Sequence, residues 1–162
     1  MHKNGVFIIL LLICSVSGYT QNLVPNPSFE EYNHCPGTTV PRPLKNWFAP
    51  TDNYISYLHT CGLSTTATVP YNIGGYCIPK TGNAYISIGT GYALINNTLI
   101  SNQSYASNTL TTKLTKDSIY AVSFFVSLAE GPYNHHLAAY SDIGLYFTDT
   151  NMYYPIDSTI MV

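Results

Sequence analysis

Apolar and polar residues alternate one by one along two stretches late in the chain, and no stretch carries the three-to-four spacing of a credible helix. From Ser118 to Ala129 (SIYAVSFFVSLA), Tyr120, Val122, Phe124, Val126 and Leu128 fall on one face. Ile119, Ala121, Ser123, Phe125, Ser127 and Ala129 fall on the other, which is smaller and more polar. Successive side chains of a strand point to opposite sides, so this pattern predicts a sheet strand packed on a core by its bulkier face. Ala138 to Thr148 repeats it, with Ile143, Leu145 and Phe147 inward and Tyr140, Asp142, Tyr146 and Thr148 outward. Asn83 to Gly89 sets Ala84, Ile86 and Ile88 against Tyr85 and Ser87, a third half-buried strand.

Between these stretches the pattern is weaker. Tyr54–Leu58 and the Thr-rich Ser104–Leu114 read as extended, and Lys116-Asp117-Ser118 as a turn. Asn22–Tyr32 opens as an extended segment that Pro25 and Pro27 confine to an edge or bulged strand. Asn33–Asn46 reads as a loop and Gly62–Lys80 as irregular, since Pro70, Gly74, Gly75 and Pro79 interrupt it. Trp47-Phe48 is a compact aromatic anchor expected to pack over one end of the core. Several strands without a helix predict an all-β, two-sheet sandwich. The chain stops at Ile160-Met161-Val162, an apolar strand-like end, and the expectation is a sandwich truncated at its C-terminus.

The first residues follow another rule. Lys3 precedes a continuous apolar run from Val6 to Val16, broken only by Ser15, and small residues follow at Ser17 and Gly18. That order is the pattern of a secretory signal peptide over residues 1–21, cleaved between about 17 and 21. The run is roughly half the ~20 residues a spanning helix needs. Ile13 before Cys14 disfavours lipid attachment, which wants a small residue there. The mature chain, residues 22–162, has no later apolar stretch long enough to span a membrane as a helix, and is expected to be secreted or held at the cell surface or outer membrane.

Composition narrows the function. Charged residues make up only 9% of the chain, and removing Lys3 leaves five basic and eight acidic residues, a net charge of −3. Nucleic acid is excluded as a partner, because phosphate binding needs clustered Lys and Arg. Export makes a disulfide plausible among Cys35, Cys61 and Cys77. Cys35–Cys61 is favoured, both cysteines lying in polar, turn-rich surroundings, and closing about 26 residues would restrict the unfolded chain by roughly 3 kcal/mol. Cys77 is then free or paired outside this sequence. His34, Cys35, His59 and Cys61 form a competing zinc set, but their spacing fits no compact ligand motif. His135-His136 reads as an exposed loop pair, because neighbours in a strand cannot clamp one ion together.

Catalytic signatures are missing. There is no nucleophile elbow and no helical His pair, and Glu30-Glu31 with Glu130 make no more than an imagined glycosidase pair. The chain is read as a non-enzyme. Fifteen tyrosines offer the flat faces that sugars stack on. Phe125, Tyr140, Asp142 and Tyr146 share the outward face of the two strong strands, and Tyr76, Tyr92 and Tyr133 are expected in loops. Tyrosines covering a sheet with their hydroxyls in water are the plainer reading of the same residues. Asn96-Asn97-Thr98 and Asn102-Gln103-Ser104 match the glycosylation sequon, a match that arises easily in an Asn- and Thr-rich chain.

The segments NLVPNPSFEEYNHCPG (22–37), Trp47 with Ala49-Pro50-Thr51, Cys61-Gly62, VPYNIGGY (69–76), TGNAYISI (81–88) and YAVSFFVSLAE (120–130) occur in that order. Together they resemble the N-terminal β-sandwich of secreted cell-surface proteins of Bacteroidota, which is similar to galactose-binding-like jelly rolls and carbohydrate-binding modules. The resemblance covers nearly all of the mature chain, and NPSFEEY and VSLAE are its most specific parts. It implies a jelly roll placed ahead of an OmpA-like or type IX sorting domain, a partner for Cys35 at Cys61, and a structural calcium near the chain start to which Glu30 would contribute an oxygen. Cys77 stands where the family often has a polar residue. The resulting expectation is a non-catalytic binding or adhesion module, with glycans as the favoured ligand class and envelope components as further partners. The alternatives are a structural spacer in an envelope protein and an accessory domain of an exported hydrolase.

Overall fold

The computed structural model describes residues 21–37, 43–50, 55–72, 74–89, 92–95, 98–101, 104–130 and 143–149. The expected signal peptide (save Gln21), Tyr133, His135-His136, Tyr140, Asp142 and Met152–Val162 lie outside them. The described residues form eight strands: β1 (Trp47–Phe48), β2 (Ser56–His59), β3 (Tyr71–Asn72), β4 (Gly75–Tyr76), β5 (Ala84–Ser87), β6 (Tyr92–Ile95), β7 (Thr98–Ser101) and β8 (Ser107–Asn108). They pair antiparallel as four two-stranded sheets, β1–β8, β2–β5, β3–β4 and β6–β7. The fold class is all-β.

The core forms where β2 meets β5. Tyr57 lies opposite Ile86 and His59 opposite Ala84, so period two puts both pairs on one face. Leu44, Tyr57 and Ala84 are buried together, with Phe29, Tyr32, Trp47 and Ile86 packed around them. Ile88, expected to continue the inward face, lies beyond the end of β5 and is exposed. Tyr32, Tyr57 and His59 form a ring cluster, with Tyr32 and His59 centroids 4.6 Å apart. His59 is buried, and its Nδ1 accepts a hydrogen bond from the Cys61 backbone N–H at 2.9 Å. That bond fixes the ring beside the Cys35–Cys61 disulfide, which ties the loop before β1 to the end of β2.

The opening segment is a tight turn, where an edge or bulged strand was expected; only an isolated bridge, Tyr32 to Leu44, resembles pairing. Asn26 explains why. Its φ of 49° is a left-handed conformation that asparagine tolerates better than most residues. Its buried side chain accepts from the Glu31 N–H and donates to the carbonyls of Glu31 and Lys45, each at 2.9 Å. Its own carbonyl receives the Trp47 indole N–H at 2.9 Å and the Phe29 N–H at 3.2 Å. One amide thus replaces a strand ladder and fastens the NPSFEEY motif to β1.

Glu30 performs a similar task further along. Its carboxylate accepts the Asn83 backbone N–H at 2.7 Å and the Asn83 side-chain amide at 3.4 Å. Between Thr81 and Asn83, Gly82 has φ +65°, and any Cβ there would run into the Glu30 carboxylate. The pair holds the turn that launches β5.

Gly62–Lys80, expected to be irregular, contains the β3–β4 hairpin. The Asn72 side chain organises it, accepting from the Gly74 N–H at 2.8 Å and donating to the Tyr85 hydroxyl at 2.6 Å. Tyr92, expected in a loop, is the first residue of β6, and Tyr76 lies in β4. Only Asn96 and Asn97 separate β6 from β7.

The stretch from Ser118 to Ala129, expected to be a strand, has no regular secondary structure and forms no ladder with another described strand. The turn at Lys116–Asp117 is present, with Asp117 at φ 62°. Beyond it the side chains that the alternation aims inward are exposed. Alternation specifies which side of a strand is apolar, but burial needs a second layer against that side, and no described strand pairs with this segment. A trace of the two faces survives, since Phe124 is 50% exposed and Phe125 73%. The segment passes the β3–β4 hairpin, where the Ala129 Cβ bounds the space beside Gly74.

Candidate functional site

Of the four outward residues expected to form a ligand face, Phe125 and Tyr146 are described and both are exposed; Tyr140 and Asp142 lie outside the described residues. The Lys80 ammonium lies 4.6 Å from the centre of the Phe125 ring, a cation–π contact between the segment and the loop after β4. No charged residue occurs between Ser118 and Ala129 or between Ile143 and Thr148. These stretches are aromatic, and Lys80 brings a positive charge to the Phe125 ring.

The metal readings fare differently. Cys35 and Cys61 are bonded to each other, so neither offers a thiolate, and His59 uses Nδ1 within the fold. The zinc set is therefore overturned. Glu30 has both carboxylate oxygens engaged by Asn83. Among the described residues no group of three or more His, Cys, Asp or Glu side chains gathers. Cys77 is free and half-buried, with its Sγ 3.7 Å from the Ile78 carbonyl oxygen. Among the described residues no helix is long and apolar enough to cross a membrane.

A second surface was not foreseen from the sequence. Trp47 pairs with Asn108 and Phe48 with Ser107 in the β1–β8 ladder. The chain start is bound to the same place: Asn108 donates to the Pro25 carbonyl at 2.9 Å, and the Thr111 N–H donates to the Leu23 carbonyl at 2.9 Å. Pro25, Asn46, Trp47, Phe48, Asn108 and Thr109 line an open-sided cleft of about 380 Å³ here. That volume falls toward the small end of ligand sites, which run from roughly 300 to 1,000 Å³. Its lining has aromatic rings, amides and a hydroxyl but no charge.

Trp47 is anchored in this cleft rather than loosely displayed. Its indole N–H is taken by Asn26, and its ring packs against Phe29 with centroids 5.1 Å apart. Asn108 is less fully matched. Its amide nitrogen is bonded, but its Oδ1 is buried without a hydrogen-bond partner. An unpaired buried acceptor costs about 1–3 kcal/mol. The feature that could have revealed the cleft is the pairing of Trp47-Phe48 with residues sixty positions later, which no local pattern announces.

Burial pushes the Tyr57 phenol well above its ordinary value, and the charges of Glu30 and Tyr32 push in the same direction. Its hydroxyl donates to the Phe29 carbonyl at 2.8 Å, so this phenol is part of the frame behind the cleft. Burial also raises Tyr85, against a smaller opposing effect of the Asn72 hydrogen bond. Comparison with protein-family models, with curated proteins and with solved structures finds no match for this chain.

Proposed function

We propose that this is an exported, non-catalytic binding or adhesion domain of the cell surface or outer membrane, with glycans as its ligand class. The observation that carries the reading is the exposed aromatic surface: the rings of Phe125 and Tyr146 stand open to solvent. Flat rings stack against the apolar faces of sugars. The leader-like first residues support export.

The finer architecture belongs to the same proposal. Ser118–Ala129 and Ala138–Thr148 are inner strands of a galactose-binding-like jelly roll, with neighbours outside the described residues. Tyr120, Val122, Phe124, Val126 and Leu128 then face the second sheet, while Phe125, Tyr140, Asp142 and Tyr146 share the outer face. A glycan array probed with the exported protein tests the function. Binding to neutral glycans that falls at least tenfold in Tyr146→Ala or Tyr140→Ala is the expected result. A blank array from a folded protein overturns the reading.

A further inference from the structure

We infer that the cleft between β1 and β8 is a second binding site, which takes one neutral, hydroxyl-rich ring with an apolar face, the chemistry of a pyranose. The inference rests on the glycan reading but concerns residues that the outer aromatic face does not include. Pro25, Trp47 and Phe48 provide the apolar wall, and Asn46, Asn108 and Thr109 provide polar groups at its edge. The uncharged lining argues against phosphate, carboxylate or ammonium ligands, which would enter without a counter-charge. With Asn108 held on the Pro25 carbonyl, the exposed Asn46 amide and Thr109 hydroxyl are the groups at the cleft edge that ligand hydroxyls can meet.

The wall is also prepared in advance. Asn26 holds the Trp47 indole, and Asn108 and Thr111 hold the chain start across the back of the cleft. A ring whose position is already fixed loses little freedom when a ligand stacks on it.

Trp47 is the lone tryptophan, so its fluorescence and its indole N–H resonance report on this cleft alone. The test titrates the full chain with methyl pyranosides and with the neutral oligosaccharides bound on the array, following both signals. The expected result is a saturable change that persists in Phe125→Ala and Tyr146→Ala and weakens at least tenfold in Asn108→Leu. Thr109→Tyr, a change at an exposed position, fills the cleft and gives the same loss without removing a buried group. If array glycans bind while the Trp47 signals stay still and Thr109→Tyr binds normally, the cleft is not a site and the glycan reading stands. If neither the array nor calorimetry detects a glycan, both fall together.

Discussion

Residues 21–89 and the segment 118–130 contain comparable apolar residues, yet they are held in very different ways. In the first region a few polar groups do the fastening. Asn26 bridges Glu31 and Lys45, Glu30 grips Asn83, Asn72 shapes a hairpin, and a disulfide closes one loop. Around them Leu44, Tyr57, Leu58 and Ala84 are buried. In the second region the alternation of apolar side chains is more regular, but Val122 and Phe124 are about half exposed and Val126 is 64% exposed. The difference shows that a good strand sequence does not itself create a core. Tertiary bonds from side chains decide where the chain is held, and periodicity decides only which face is ready to be covered.

This comparison can be broken by substitution. The largest effect is expected from Cys35→Ser with Cys61→Ser. The bridge spans 26 residues, so its loss should destabilise the first region by about 3 kcal/mol in denaturant titration. An unchanged midpoint would mean that the bridge does not hold this region. Asn26→Ala should follow at about 2 kcal/mol, because it strips the Glu31 N–H and the Lys45 carbonyl of the amide and leaves the Glu31 carbonyl only the Lys45 N–H. Near-UV circular dichroism of Trp47 should change with it, since the turn that receives the indole loses its shape.

A smaller effect is expected from Tyr57→Phe, about 1 kcal/mol at neutral pH for the lost bond to Phe29. Its pH dependence is more telling. The Tyr57 phenol is raised above 10.0, so the folded state holds the neutral form more strongly than the unfolded state does. Its stabilisation is therefore whole below pH 10.0 and is lost as the pH rises above it. Stability measured from pH 7 upward should stay level and then decline above that point, and Tyr57→Phe should reduce the decline. The smallest effect belongs to Phe125→Ala, which should shift stability by no more than about 0.5 kcal/mol because the ring is exposed. A large loss there would erase the contrast between the regions.

Parts of this architecture can be seen in the residues alone. The period-two run at Ala84–Ser87 marks β5 because its apolar positions match the core face of β2. The turn at Lys116–Asp117 follows from polar residues between extended runs. The β6–β7 hairpin carries a signal, two asparagines between apolar runs, that a glycosylation reading obscured. NPSFEEY stands out as a motif, but its physical role does not, because it depends on Asn26 reaching Lys45, 19 residues away. The cleft is less visible still. Its walls join the chain start, β1 and β8, and local periodicity contains no information about which distant strands meet.

The claim on which the proposed sandwich and its outer face both depend is that residues 118–130 form a strand with two unlike faces. Single cysteines placed in turn from position 119 to 129, in a Cys77→Ser background, test it through their rates of thiol labelling in the folded protein. The account predicts reactivity that rises and falls at every second residue, fast at 119, 123, 125 and 127 and slow at 120, 122, 124, 126 and 128. Labelling at one uniform rate along the segment, or with a helical period, would contradict it.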